Sequence, residues 1–183
     1  MPHFKSLKPK DKVVHAMRRF NTGLERPLLK LQQVIMRAED SPLTIGEREL
    51  LAAYTSRVNS CEYCGGAHEA ASIEYGMDNG LVLELLSDID SANIKESLKP
   101  IFRFARKLTL EPSEMNQADA DAVFDAGWSE RALYDAIAVC CVFNYMNRYV
   151  LGLGLGVIPE SFAPEGKMLK QYGYDVADSA KLK

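Results

Sequence analysis

The sequence predicts an all-α protein. Apolar residues recur at helical spacing along most of the chain, and no run alternates Val, Ile or Thr with polar residues as a half-buried strand would. The interruptions carry the residue types that start and stop helices.

About seven helices can be written in order. Leu24, Leu28, Leu31, Ile35 and Ala38 form a stripe of one helix that stops before Ser41-Pro42. Thr44 followed by Glu47 reads as a capping box opening a second helix over about Ile45 to Val58. Asn59, with Glu62 three residues on, reads as the cap of a third helix ending near Tyr75, with Gly76 as its stop. Asp78 is expected to cap a short helix carrying Leu81, Val82, Leu85 and Leu86. A fifth helix is expected from about Ser91 to Leu108, bent or restarted at Pro100. A sixth covers about Asn116 to Ala126 and ends at Gly127. Ser129 then caps a long helix, about Glu130 to Tyr149, apolar on all sides and therefore expected to be the buried central element. Residues 156–183 are expected to form an irregular tail, leaving a core over about 20–155 of a single domain. The glycines Gly152, Gly154 and Gly156 lack the strand and helix of a dinucleotide cradle.

With 183 residues, 47% of them hydrophobic, the chain is long enough to bury a core. Its net charge of −3 gives no basic excess for a nucleic acid or an anionic membrane. The segment Met1 to Val14 is too rich in lysine for a secretory signal, and the most apolar stretch, Ala136 to Phe143, is far shorter than a bilayer span. Four cysteines are too few for a disulfide scaffold, so a cytoplasmic location with free thiols is expected.

A faint repeat pairs Glu47–Ala53 with Glu130–Ala136 at an offset of 83 residues, placing Cys61 over Asn144 and Cys64 over Asn147. It would describe a duplicated helical hairpin.

The chemistry concentrates in Cys61-Glu-Tyr-Cys64-Gly-Gly-Ala-His68. On a helix Cys61, Cys64 and His68 share one face, with the imidazole a turn above the second sulfur. A helix N-terminus stabilises a thiolate, and a thiolate attacks peroxides and disulfides. Gly65 and Gly66 are poor helix formers, which points to close approach of substrate or another helix. Buried inert cysteines and a zinc site are the competing readings, but structural zinc wants four ligands, and His3 and His15 are unpaired. Thioredoxin-like folds need a βαβ pattern that is absent here. His68 is nearest Cys64, while Cys61, at the helix start, is expected to be the more exposed sulfur.

The spacing Glu49, eleven residues, Cys61-x-x-Cys64, three residues, His68 resembles the alkyl hydroperoxidase D (AhpD)-like group of the carboxymuconolactone decarboxylase superfamily. The likeness is strongest over about Leu43 to Gly80. Phe124 to Gly154, with Asn144 and Asn147-Arg148, is similar to a second block of the peroxidase-related members. The resemblance implies a cofactor-free, metal-free dithiol peroxidase in which Glu49 and His68 draw the proton from Cys64. Cys64 would then attack the peroxide and Cys61 would resolve the sulfenic acid as a disulfide. It further implies a lipoyl-bearing or thioredoxin-like reductant and a homo-oligomer, a trimer or hexamer. Tyr63 stands where the best studied hydroperoxidases carry a second histidine, and tyrosine is a poor base. A redox-responsive binding module is a non-enzymatic alternative; lactone decarboxylation fits less well, since those relatives lack the cysteine pair.

Cys140 and Cys141, in an apolar run, are expected to be inert core fillers. Trp128 is expected to anchor its turn, and Phe102, Phe104, Tyr145 and Tyr149 to pack in the core or a subunit interface. Lys167, Lys170, Lys181 and Lys183 read as a solvated periphery.

Overall fold

A computed structural model describes residues 1–174. Lys181 and Lys183 lie outside them. Among the described residues there are nine α-helices and no strand: α1 (Val13–Phe20), α2 (Glu25–Met36), α3 (Ile45–Val58), α4 (Glu62–Glu74), α5 (Leu81–Ser87), α6 (Lys99–Leu110), α7 (Gln117–Asp125), α8 (Glu130–Leu153) and α9 (Phe162–Tyr172).

Local signals set most boundaries. The capping box at α3 is formed: Thr44 Oγ1 accepts from the Glu47 N–H at 3.2 Å, and the Thr44 N–H donates to Glu47 Oε2 at 2.8 Å. Such a cap contributes about 1 kcal/mol. Ser129 caps α8 as expected, through the N–H of Ala132, and Asn116, expected as the start of a helix, caps α7 through the N–H of Ala118. Trp128 does anchor its turn, donating from Nε1 to Ser97 O at 2.6 Å.

Elsewhere the sequence reading needs correction. Cys61, not Asn59, is the N-cap of α4, and Gly80, not Asp78, precedes α5. Of the bend or restart expected at Pro100 the structure shows the restart: Pro100 sits in the first turn of α6, where a missing N–H costs nothing, and the stretch before Lys99 is not part of that helix. The apolar stripe on α2 is its buried face only in part: Leu28 turns inward with Leu29, Gln32 and Met36, and Ile35 packs against the core, while Leu31 and Val34 are exposed. α8 runs unbroken through residues 142–144, the positions matching the break between α3 and α4, so it is no second hairpin.

The central element is α3, not α8. Every residue from Gly46 to Ser56 is buried, because α2, α4, α5, α6 and α8 all pack on it. α8 is long and apolar enough to match a bilayer span by composition, yet half of that stretch is buried and it packs on α3 and α6. Its outer strip is exposed at Tyr134, Cys141 and Tyr145. Cys141 is therefore not a core filler. Cys140 is, with burial pushing its thiol pKa up.

Both ends of the chain hold helices where loops were expected. α1 forms despite its lysine-rich approach, with the Lys12 N–H donating to His15 Nδ1 at 2.9 Å. The expected irregular tail contains α9, which lies along α4. Gly166 makes the crossing possible: a Cβ there would stand 2.7 Å from the Ala70 carbonyl carbon. A glycine inside a helix weakens local propensity, and tertiary contact overrides it here.

Candidate active site

α3 and α4 form a tight pair joined by three residues, and this hairpin brings Glu49 to His68. The chain turns at Ser60, a non-glycine residue with φ of 56°, and the Cys61 N–H is satisfied by Ser56 O at 2.8 Å. Cys61 thus becomes the N-cap, Cys64 lies in the first turn and His68 one turn later.

The carboxylate of Glu49 is fully buried and saturated with donors. His68 Nδ1 is 2.7 Å from Oε2, Arg37 Nη1 donates to Oε1 at 2.7 Å, and the Tyr174 hydroxyl donates at 3.0 and 3.2 Å. Burial alone would raise the Glu49 pKa, but His68 and Arg37 outweigh it and the net shift is downward. Burial likewise pulls Arg37 down, and Glu49 and Tyr174 more than restore it. The phenol of Tyr174 is held well above its ordinary pKa, by burial first and by Glu49 next, so it remains a donor. Tyr174 also stacks on the His68 ring at 6.0 Å, and Arg37 covers its face at 5.0 Å. On the other side Phe143 meets His68 edge-on at 4.4 Å. The imidazole is therefore fixed in orientation. With Nδ1 committed to Glu49, Nε2 is the nitrogen left to act as a base.

Cys61 and Cys64 are free thiols, and both are buried. The expectation that Cys61 is the more exposed fails: its exposure is 0% against 4% for Cys64. The pair shares a hydrogen bond that splits their acidities. Cys61 is lowered to about 7, chiefly because the Cys64 thiol donates to its sulfur. The N–H groups of Cys64 and Tyr63 at the start of α4 and the Asn147 amide assist, against the effect of burial. Cys64 is raised, because its proton is held in that bond and the site is desolvated. Asn147 is fixed on α8 by Ser56 Oγ at 2.9 Å and Asn59 Nδ2 at 3.0 Å.

Cys64 and His68 line a small cavity of about 110 Å³ together with Tyr63, Phe143, Glu165 and Tyr174, whereas Cys61 does not reach it. The cavity is bordered by the two chain ends, which leave it partly open. The Tyr63 hydroxyl accepts from the Val13 N–H at 3.2 Å, and Lys12 pairs with Glu165 of α9 at 2.9 Å. Gly65 and Gly66 are explained by neighbours rather than substrate. A Cβ on Gly65 would lie 2.6 Å from the Arg57 side chain, and one on Gly66 would lie 2.2 Å from the Phe162 ring. Among the described residues no group of three or more His, Cys, Asp and Glu side chains converges as a metal site.

All four expected site residues, Glu49, Cys61, Cys64 and His68, are brought together. Sequence reading missed Arg37 and Tyr174 as their supports. Arg37 stood between the stripe residues Ile35 and Ala38 with nothing to mark it, and Tyr174 lay in the segment expected to be irregular. Asn147 had a signal, its place in the second family-like block, but no role.

No protein-family model matches the sequence, and no curated protein matches it. Solved structures do. A protein from Ralstonia eutropha JMP134, described as an alkylhydroperoxidase AhpD core and an uncharacterised peroxidase-related protein, aligns over 83% of this chain and 78% of its own, at 26% identity and a TM-score of 0.73. An uncharacterised peroxidase-related protein from Silicibacter sp. TM1040 aligns over 84% and 79%, at 26% identity and a TM-score of 0.74. The all-helical fold is thus similar to that of an AhpD core and of peroxidase-related proteins.

Proposed function

We propose that this AhpD-like chain is a dithiol peroxidase that reduces a hydroperoxide at Cys64, resolves it with Cys61, and is re-reduced by an external dithiol. The observation that carries this reading is His68, held by the buried Glu49 carboxylate, lining the same cavity as Cys64 of a reduced Cys-x-x-Cys. The likeness to peroxidase-related proteins supports the oxidoreductase class.

At neutral pH the first negative charge is shared as a Cys61 thiolate accepting from the Cys64 thiol. Only Cys64 faces the cavity, so the peroxide meets that sulfur. His68 Nε2 takes the Cys64 proton and becomes the imidazolium, leaving Cys61 as the thiolate. The Cys64 thiolate then attacks the terminal peroxide oxygen and the O–O bond breaks. The alkoxide leaves and takes a proton from the imidazolium, giving an alcohol and a sulfenic acid on Cys64. The Cys61 thiolate attacks that sulfur, hydroxide departs as water with a second proton, and the disulfide forms. Overall two thiols and one hydroperoxide become a disulfide, an alcohol and water; thiol–disulfide exchange with the reductant restores the dithiol. In this scheme Glu49, already neutralised by Arg37, fixes the tautomer of His68 and balances its charge rather than accepting the proton.

Free thiols fit a reducing compartment such as the cytoplasm. A homo-oligomer is supported by the exposed apolar face of α2 and α8, where Leu31, Val34, Tyr134 and Tyr145 flank a groove of about 1080 Å³. The burial of both sulfurs under the chain ends favours one second reading, a redox switch whose oxidation alters the packing of α1. Peroxide consumption by purified protein with excess dihydrolipoamide separates the two. Sustained turnover lost in Cys64→Ser supports the peroxidase, and a single stoichiometric oxidation supports the switch.

A further inference from the structure

We propose that the cavity over Cys64 limits its reaction partners to small, uncharged molecules, so that short-chain alkyl hydroperoxides are taken and phenyl-bearing or fatty-acid hydroperoxides are refused. The choice of a hydroperoxide rests on the peroxidase reading above, whereas the limit on size and charge is set by the cavity itself.

Volume is the first reason. The cavity measures about 110 Å³, and an apolar protein cavity that just accepts benzene is larger, about 150 Å³. A phenyl ring carrying a branched carbon and a hydroperoxide group does not fit, while the hydroperoxide of a few-carbon alkane does. The walls resist expansion. Phe143, Met146 and Leu29 are 1%, 4% and 6% exposed, and close-packed side chains yield only at the expense of neighbouring contacts.

Charge is the second. The reactive end of the cavity holds Cys64 and His68, and the solvent end is crossed by the Lys12–Glu165 pair, of which Lys12 is 39% exposed and Glu165 11%. That pair is already neutralised, with Ser161 Oγ also donating to Glu165 Oε1 at 2.7 Å. A fatty-acid carboxylate entering here loses its hydration and meets no unpaired cation. The Tyr63 hydroxyl, by accepting from Val13 N–H at the first turn of α1, holds this lid in place. Tyr63 thus does structural work where the better studied relatives carry a histidine.

The test uses the reduced, full-length protein and two pairs of probes. Loss of free thiol is followed with ethyl hydroperoxide and with cumene hydroperoxide; in parallel, labelling of Cys64 is followed by peptide mass with methyl and with benzyl methanethiosulfonate. The small member of each pair is expected to react faster by about tenfold or more, and Met168→Ala, which widens the cavity at α9, is expected to cut that ratio by about threefold, with Val13→Ala doing the same from α1. Equal rates within each pair overturn the inference, as does a ratio unmoved in both folded variants. If neither hydroperoxide oxidises the dithiol while the methanethiosulfonates still discriminate, the peroxidase reading falls and the size limit stands. If both hydroperoxides oxidise it at equal rates, the size limit falls, and the turnover assay above still decides the peroxidase reading.

Discussion

Replacing Glu49 with glutamine changes one atom type at the centre of the site and tests how that site is held. The native carboxylate receives Arg37 and His68 at 2.7 Å each and the Tyr174 hydroxyl at 3.0 Å, with no access to water. Glutamine offers one accepting oxygen and a donating amide. If that oxygen keeps Arg37 and Tyr174, the amide nitrogen faces His68 Nδ1 and forces the tautomer with the proton on Nε2. The base is then lost, and the rate of dithiol oxidation should fall by roughly 10²–10⁴-fold, the usual contribution of a general base. Stability should fall as well. Removing one partner of a buried ion pair costs about 3–5 kcal/mol, and the lower end applies because Arg37 keeps the Met36 and Leu169 carbonyls, each at 3.0 Å. The loss has a defined pH dependence. The folded-state pKa of Glu49 is depressed, so its stabilisation is complete above the unfolded value of about 4.3 and disappears as pH falls through the lower folded value. Urea unfolding of wild type and Glu49→Gln at pH 7 should therefore differ by about 3 kcal/mol, with the gap closing in acid. A gap under about 1 kcal/mol at pH 7, or one that persists unchanged in acid, would refute the clamp.

Gly66→Ala should destabilise by about 1–3 kcal/mol through its clash with Phe162, although alanine alone favours a helix by about 1 kcal/mol; in a Phe162→Ala background the same change should become neutral or stabilising, and a thermal melt of the four proteins decides. Titration of thiolate absorbance in a Cys140→Ser, Cys141→Ser background should show a first midpoint at about 7, shifting toward the ordinary thiol value of about 8.5 in Asn147→Ala; an unmoved midpoint would remove Asn147 from the thiolate's support. Because Cys61 is depressed in the folded state, its contribution to stability is lost as pH falls through about 7 and is complete above about 8.5, and the raised Cys64 works against it at the upper end. After peroxide treatment, Cys61→Ser should retain a sulfenic acid on Cys64 that a dimedone-type reagent traps; trapping on Cys61 in Cys64→Ser would reverse the order of attack.

Three of the site's own four residues were legible because their geometry is local. Cys61, Cys64 and His68 lie within two turns of one helix, and Glu49 was marked by the eleven-residue spacing through which the chain resembles the AhpD-like group. Three helix starts were legible for the same local reason, since Thr44, Asn116 and Ser129 act on N–H groups two or three residues away. The failures share a different cause. Glu47, Arg48 and Glu49 in succession look like a solvated turn of helix, yet all three are buried: Glu47 is held by Thr44 and Lys95, Arg48 donates to the Ile35 and Ala38 carbonyls, and Glu49 meets its clamp. No pattern along the chain reveals that α3 is surrounded.

The sequence by itself determined an all-helical chain with a dithiol at a helix start and a histidine one turn on, because these follow from backbone periodicity and short spacing, while Glu49 was marked by resemblance to the AhpD-like pattern. Only the tertiary structure decided which helix is central, that Arg37 and Tyr174 hold Glu49, and that α1 and α9 border a small cavity over Cys64. Tyr174 is 125 residues from Glu49, and α9 carries a helix-weakening glycine that fits only against the backbone of α4. Contacts of that range leave no periodic trace, since their free energy comes from burial and charge pairing between segments that the chain brings together only on folding.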